Sequence, residues 1–96
     1  MKGYVVTNFT INDLDTFKQY LSRVSDTVDK YDGKFLVRGP ISNVIEGEPH
    51  KFLAIVEFPS TQVAETWFNS KEYQDIIDMR LESTEGWLVI TNEFSP

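Results

Sequence analysis

Three charged residues of this 96-residue chain stand inside apolar stretches. Arg38 ends the run Lys34-Phe35-Leu36-Val37, Glu57 sits in Phe52-Leu53-Ala54-Ile55-Val56-Glu57-Phe58, and Arg80 follows Tyr73, Ile76 and Ile77. A charge in such a setting is costly unless it meets a partner or a ligand. A guanidinium can hold a carboxylate or phosphate through two parallel hydrogen bonds, so Arg38 and Arg80 are candidate anion receivers. A desolvated Glu57 would be a general base, with Arg38 stabilising developing negative charge, and this pair is the candidate catalytic couple. The competing reading is an ion pair between Arg38 and Glu57, whose strands are expected to be neighbours, and ion-pair networks imitate active sites. Helical spacing directs Arg80 inward, where it snorkels to the rim, meets an acid such as Glu57, or meets a bound anion. Tyr4, Trp67 and Tyr73 offer an apolar body with a polar tip and are candidate ligand-binding residues, with core packing as the alternative.

Other chemistries find little foothold. His50 is the only histidine and lies in an expected turn between Pro49 and Lys51. No metal-ligand spacing, glycine-rich phosphate loop, nucleophile elbow or cofactor motif is present, and no cofactor is expected. Asp13-Leu14-Asp15 and Glu46-Gly47-Glu48 read as solvated surface. With no cysteine, neither a disulfide framework nor a thiolate site is available, which fits a reducing, cytoplasmic setting. The net charge of -6 and the lack of a Lys/Arg cluster argue against nucleic-acid or anionic-membrane partners. The N-terminus lacks the long apolar core of a signal peptide, and no apolar run reaches bilayer-spanning length.

These residues need elements to position them, and the chain reads as one domain over residues 1–96. Tyr4 to Phe9 is rich in β-branched and aromatic residues and reads as a strand. Asn12 or Asp13 can cap the following helix, whose apolar stripe is Leu14, Phe17, Leu21, Val24, Val28 and Tyr31, with Gly33 as its left-handed stop. Lys34 to Arg38 is a second strand, interrupted at Gly39-Pro40 by a bulge or an edge position and resumed over Ile41 to Glu46. After a turn at Gly47-Glu48-Pro49, Lys51 to Phe58 is the third strand. Ser60 caps a helix carrying Val63, Ala64, Trp67 and Phe68. Ser70 caps a second piece with Tyr73, Ile76, Ile77 and Leu81 inward. Gly86 closes that region and Trp87 to Phe94 is the last strand.

The order β-α-β-β-α-β predicts an α+β ferredoxin-like sandwich, four antiparallel strands with the helices on one face. The third strand is apolar on both faces, with Phe52, Ala54, Val56 and Phe58 on one and Leu53 and Ile55 on the other, and the last strand behaves similarly. Helices can cover only one face, so a second copy of the sheet is the expected cover for the other. The expectation is a homodimer packed sheet to sheet.

The run Tyr31 through Gly39, the corner Glu57-Phe58-Pro59-Ser60, and Asn69-Ser70-Lys71-Glu72-Tyr73 with Arg80 resemble the family called domain of unknown function 1330, over nearly the whole chain. That family belongs to the dimeric α/β-barrel superfamily of ferredoxin-like folds, and the resemblance implies the same sandwich and the same paired sheets. Relatives in the superfamily include cofactor-free monooxygenases, small isomerases and dehydratases, haem proteins and stress-related proteins. The chain departs from the family pattern at Asp32-Gly33, usually Gly-Gly, and at Pro40, where a second glycine often stands. Three functions follow as expectations. The first is binding of a small anionic or aromatic metabolite between sheet and helices. The second is cofactor-independent catalysis with Glu57 as acid/base and Arg38 as anion stabiliser, and the third is a purely structural dimer.

Overall fold

A computed structural model describes all of residues 1–96. Strand β1 runs over Gly3–Ile11, helix α1 over Leu14–Lys30, β2 over Lys34–Pro40 and β3 over Phe52–Phe58. Three short helices follow, α2 (Thr61–Asn69), α3 (Lys71–Gln74) and α4 (Ile77–Ser83), before β4 (Thr84–Asn92). The strands form one sheet in the order β2-β3-β1-β4, every pair antiparallel. This is the ferredoxin-like sandwich expected from the sequence. No helix is long and apolar enough to cross a membrane.

Local chemistry accounts for most boundaries. Asp13 caps α1 by accepting from the Thr16 amide at 3.2 Å. Ser60 accepts from the Val63 amide and Ser70 from the Tyr73 amide, so α2 and α3 each have a hydroxyl start, whereas α4 follows Ile76 without a side-chain cap. At the end of α1 the left-handed residue is Asp32, with φ 61°, rather than Gly33. Gly33 is required for space, since a Cβ there would lie 2.6 Å from Val28 Cγ1 and 2.7 Å from the Phe58 ring. Gly86 lies within β4 instead of ahead of it. Its φ of 142° and the 2.0 Å approach of a would-be Cβ to the Asn8 carbonyl oxygen leave room for nothing larger.

Three further expectations are corrected. The segment Ile41 to Glu46 does not resume β2, which ends at Pro40, where an edge strand tolerates the missing N–H. The irregularity of β2 falls at Leu36, not at Gly39-Pro40: Phe35 faces Val56 and Val37 faces Ile55, leaving Leu36 as the extra residue of a bulge. The helical stripes are also narrower than the apolar count implies. Leu14, the first residue of α1, and Leu81 are exposed, the latter because the chain breaks at Asp75-Ile76, resetting the helical phase between Tyr73 and Leu81.

The helices cover one face of the sheet. Val5 and Phe9 of β1, Val56 and Phe58 of β3, Phe17, Val24 and Val28 of α1, and Ala64, Trp67, Tyr73 and Ile76 build the core. The start of α2 abuts β1, where a Cβ on Gly3 would lie 2.5 Å from the Thr61 amide nitrogen. The gap between α1 and the sheet is bridged by large side chains, with Phe17 and Phe52 edge to face at 5.3 Å.

Candidate ligand-binding cleft

The gap between α1 and the sheet is a cleft with about 30 Å³ of free space, room for a water or two. Its walls are Phe17, Tyr20, Leu21, Val24 and Val28 of α1, residues of all four strands, and Trp67 of α2. No acidic side chain lines it, and its only charge is Arg38. The bulge at Leu36 is what brings Arg38 here. Strict alternation from Phe35 would turn Arg38 to the far face, whereas the extra residue returns it to the side of Phe35, opposite Ala54. The guanidinium lies 4.9 Å from the Phe35 ring centroid, and Nη1 donates to Ser25 Oγ of α1 at 3.0 Å. Arg38 thus straps β2 to α1 across the mouth of the cleft.

Glu57 is on the other face. It pairs in register with Lys34 and Tyr4, its Oε1 lies 3.1 Å from Lys2 Nζ, and the Tyr4 hydroxyl donates to Oε2 at 3.4 Å. Glu57 raises the pKa of Lys2 through its hydrogen bond and its charge. That of Tyr4 is raised by burial first and then by the same carboxylate. The expected ion pair between Arg38 and Glu57 is therefore replaced by one between Lys2 and Glu57. The two residues cannot address one molecule within a protomer. Tyr4, likewise, does not share a pocket with Trp67 and Tyr73.

Arg80 is inward, as helical spacing predicts, and only 6% exposed, so it does not snorkel. No carboxylate pairs with it. Its Nε donates to the Tyr73 hydroxyl at 3.0 Å, and its guanidinium lies 5.1 Å from the Phe9 ring centroid. The Tyr73 hydroxyl is 2.9 Å from that of Tyr20, and Tyr20 forms part of the cleft wall. Burial, then the Tyr73 hydroxyl, pushes the Tyr20 phenol well above its ordinary 10.0, against the opposing pull of Arg80 and Arg38. Tyr20 is therefore a neutral hydroxyl with both guanidinium groups in its field. Trp67 spends its polar tip on the fold, donating Nε1–H to Thr27 Oγ1 at 3.0 Å.

Sequence reasoning passed over Tyr20, Ser25 and Asn8. Tyr20 is signalled by its spacing, three residues after Phe17 and four before Val24, which places a phenol on the buried stripe. Asn8 is 2% exposed and makes three bonds to the start of β3: Nδ2 donates to the carbonyls of His50 and Phe52, and Oδ1 accepts from the His50 amide. His50 is tied down further by Thr10 Oγ1, 2.7 Å from Nδ1. No three His, Asp or Glu side chains converge as a metal site requires.

The helix-free face of the sheet carries Val6 of β1, Val37 of β2, Leu53 and Ile55 of β3, and Trp87 and Val89 of β4. Trp87 and Val89 are each 46% exposed in the single chain.

A family model described as a domain of unknown function, DUF1330, matches residues 2–94. No curated protein matches the chain. Among solved structures, a protein of unknown function from Rhodopseudomonas palustris is 13% identical, with a TM-score of 0.80 over 99% of this chain and 84% of its own. A dimeric ferredoxin-like protein of unknown function from Jannaschia sp. CCS1 is 12% identical, with a TM-score of 0.80 over 96% of this chain and 99% of its own. SnoaB, a cofactor-independent oxygenase from Streptomyces nogalater, is 8% identical, with a TM-score of 0.71 over 99% of this chain and 95% of its own. At these identities the likeness is one of fold.

Proposed function

Because the chain belongs to the DUF1330 family of unknown function, we propose from the chemistry of its cleft that it binds a small molecule with an apolar, aromatic-sized body and an anionic group. The observation that carries this reading is Arg38, the single charge on an otherwise apolar, acid-free wall, placed at the mouth and bonded only to a neutral hydroxyl. A carboxylate is a stronger acceptor for a guanidinium than the Ser25 hydroxyl, so the arriving anion takes over Nη1 and releases the strap. Seating an aromatic-sized body in a cleft of about 30 Å³ requires α1 to move outward from the sheet with Phe17.

The protomers pair sheet to sheet in this proposal. The apolar outer face supports it, as does the dimeric state of the Jannaschia relative. A joint catalytic role for Glu57 and Arg38 has no support in their opposed placement.

Native mass spectrometry of gently purified protein tests both parts. A dimer carrying a reproducible extra mass that disappears in Arg38→Ala is the expected result. A dimer that stays bare, and that also fails to bind aromatic carboxylates at millimolar concentration, overturns the cleft reading. A monomer overturns the pairing.

A further inference from the structure

His50 is held more firmly than a loop histidine requires. Asn8 fixes its backbone on both sides, accepting from the amide at 3.0 Å and donating to the carbonyl at 2.9 Å. Thr10 Oγ1, 2.7 Å from Nδ1, fixes the ring as well. That leaves Nε2 as the one polar atom of the residue without a protein partner. No buried side-chain nitrogen or oxygen of this fold lacks a partner, so Nε2 is open to solvent. The neighbouring Lys51 is exposed, and its ammonium forms no salt bridge. Both residues line two open grooves, one of about 430 Å³ against the end of β1 and one of about 350 Å³ against the loop that follows β2. No carboxylate lines either groove, in a chain of net charge -6. The larger groove opens where β1 outruns β3. Phe9 is the last residue of β1 paired with β3, at Phe52, whereas Thr10 and Ile11 pair only with β4. Phe9, Ile11 and Phe52 are its apolar walls. Glu85, level with Thr10 on β4, lies across β1 and outside both grooves.

We propose that the larger groove binds a small organic phosphate, with His50 and Lys51 as its binding residues and Asn8 and Thr10 as its positioning residues. The Thr10 hydroxyl is both a donor and an acceptor. With neutral imidazole, an anion selects the arrangement in which Thr10 donates to Nδ1 and the ring proton sits on Nε2. With imidazolium, Thr10 accepts from Nδ1–H, and Nε2 again carries a proton. Nε2–H is thus available to an anion in both protonation states of the ring. The Lys51 ammonium supplies the matching charge. Donors from two successive residues suit the spread oxygens of a phosphate, which lysine meets as a point charge. The flat fork of a carboxylate favours arginine instead. The walls at Phe9, Ile11 and Phe52 receive an apolar body attached to the phosphate. Unlike the cleft beneath α1, this groove has room without any movement of a helix, so the site stands independently of the cleft reading.

Phenyl phosphate is the probe, followed by NMR at constant pH. At millimolar concentration it is expected to move the ring nitrogen signals of His50, which are unambiguous because the chain has a single histidine. His50→Asn keeps a polar atom beside Thr10 but has nothing at the place of Nε2, and Lys51→Met keeps the stem without the charge. Each is expected to weaken the probe about fivefold, read from its phosphorus signal. Neither variant removes the bonds from Asn8 to the backbone, so the fold is retained. Thr10→Val, which unties the ring, is expected to weaken the probe by a similar factor, and Thr10→Ser to restore it. Inorganic phosphate, which leaves the apolar walls uncovered, is expected to bind about tenfold more weakly. Arg38→Ala, a change confined to the cleft, is expected to bind phenyl phosphate as before. Ring signals that stay in place while the probe binds, or an affinity that survives in both His50→Asn and Lys51→Met, overturn the inference. Loss of the probe in Arg38→Ala moves the anion to the cleft mouth and overturns it too. Absence of binding at millimolar concentration overturns it without touching the cleft reading, which is tested with aromatic carboxylates.

Discussion

Arg38 and Glu57 stand on adjacent strands and point to opposite faces of the sheet, Arg38 level with Ala54 over the helices and Glu57 level with Lys34 on the open side. Their chemistries are accordingly separable. Arg38→Ala is expected to weaken binding of an aromatic carboxylate roughly tenfold, the worth of one charge-assisted hydrogen bond. Glu57→Gln is expected to leave that affinity unchanged and to act only on the Lys2 and Tyr4 contacts of the outer face. Parallel titration calorimetry of the two variants checks the separation. A loss of affinity in Glu57→Gln would show the faces to be coupled.

Tyr20 makes stability fall at high pH. Its folded pKa is raised by burial, so the native state holds the phenol proton more tightly than the unfolded chain does. The resulting stability is fully present below the ordinary value of 10.0 and is lost as pH rises past it toward the folded pKa. Denaturant midpoints taken across that range are expected to fall steeply in the native sequence and less steeply in Tyr20→Phe. Phenolate absorbance is expected to show that one tyrosine does not ionise until the chain unfolds.

Asn8→Ala is expected to destabilise the protein by roughly 1–3 kcal/mol, because the carbonyls of His50 and Phe52 and the amide of His50 lose their partner at once. The denaturant midpoint should drop at constant slope. Hydrogen exchange should accelerate first at Lys51 and Phe52, where β3 begins.

Deleting Leu36 is expected to remove the bulge while leaving Val37 opposite Ile55 and Arg38 opposite Ala54, so that Arg38 stays on the helix side of the sheet. Aromatic-carboxylate binding and the helical circular dichroism signal should both be retained, and a loss of binding would show that the bulge itself shapes the site. Leu36→Ala, which keeps the residue count and trims a half-exposed side chain, should bind as before.

The architecture was legible because its cues are local. The stripe through Phe17, Val24 and Val28, the caps at Asp13, Ser60 and Ser70, and the doubly apolar β3 each declare themselves within a few residues. Arg80 was also legible, since its step from Ile76 and Ile77 pointed it inward. What it would meet there was not, because Tyr20 lies 60 positions away and comes close only once α1 packs on α4. Arg38 was misjudged for a different reason. A bulge is decided by how two strands pair, and nothing in Phe35-Leu36-Val37-Arg38 marks which residue will be the extra one. The early start of β4 was hidden in the same way, since Gly86 resembles a breaker until the close approach of the Asn8 carbonyl explains it.

The breaks at Ser70 and Ile76 have a consequence for how the molecule comes into being. Helices α2, α3 and α4 span nine, four and seven residues, each below the length at which a helix sustains itself in water. Only α1, with seventeen residues and its own cap, has the length for transient structure in the unfolded chain. The helical segment from α2 to α4 therefore cannot assemble ahead of the sheet. It must condense on β1 and β3 once they have paired across more than forty residues of intervening chain, which places the late, slow steps of folding at the end of the sequence that carries Tyr73 and Arg80.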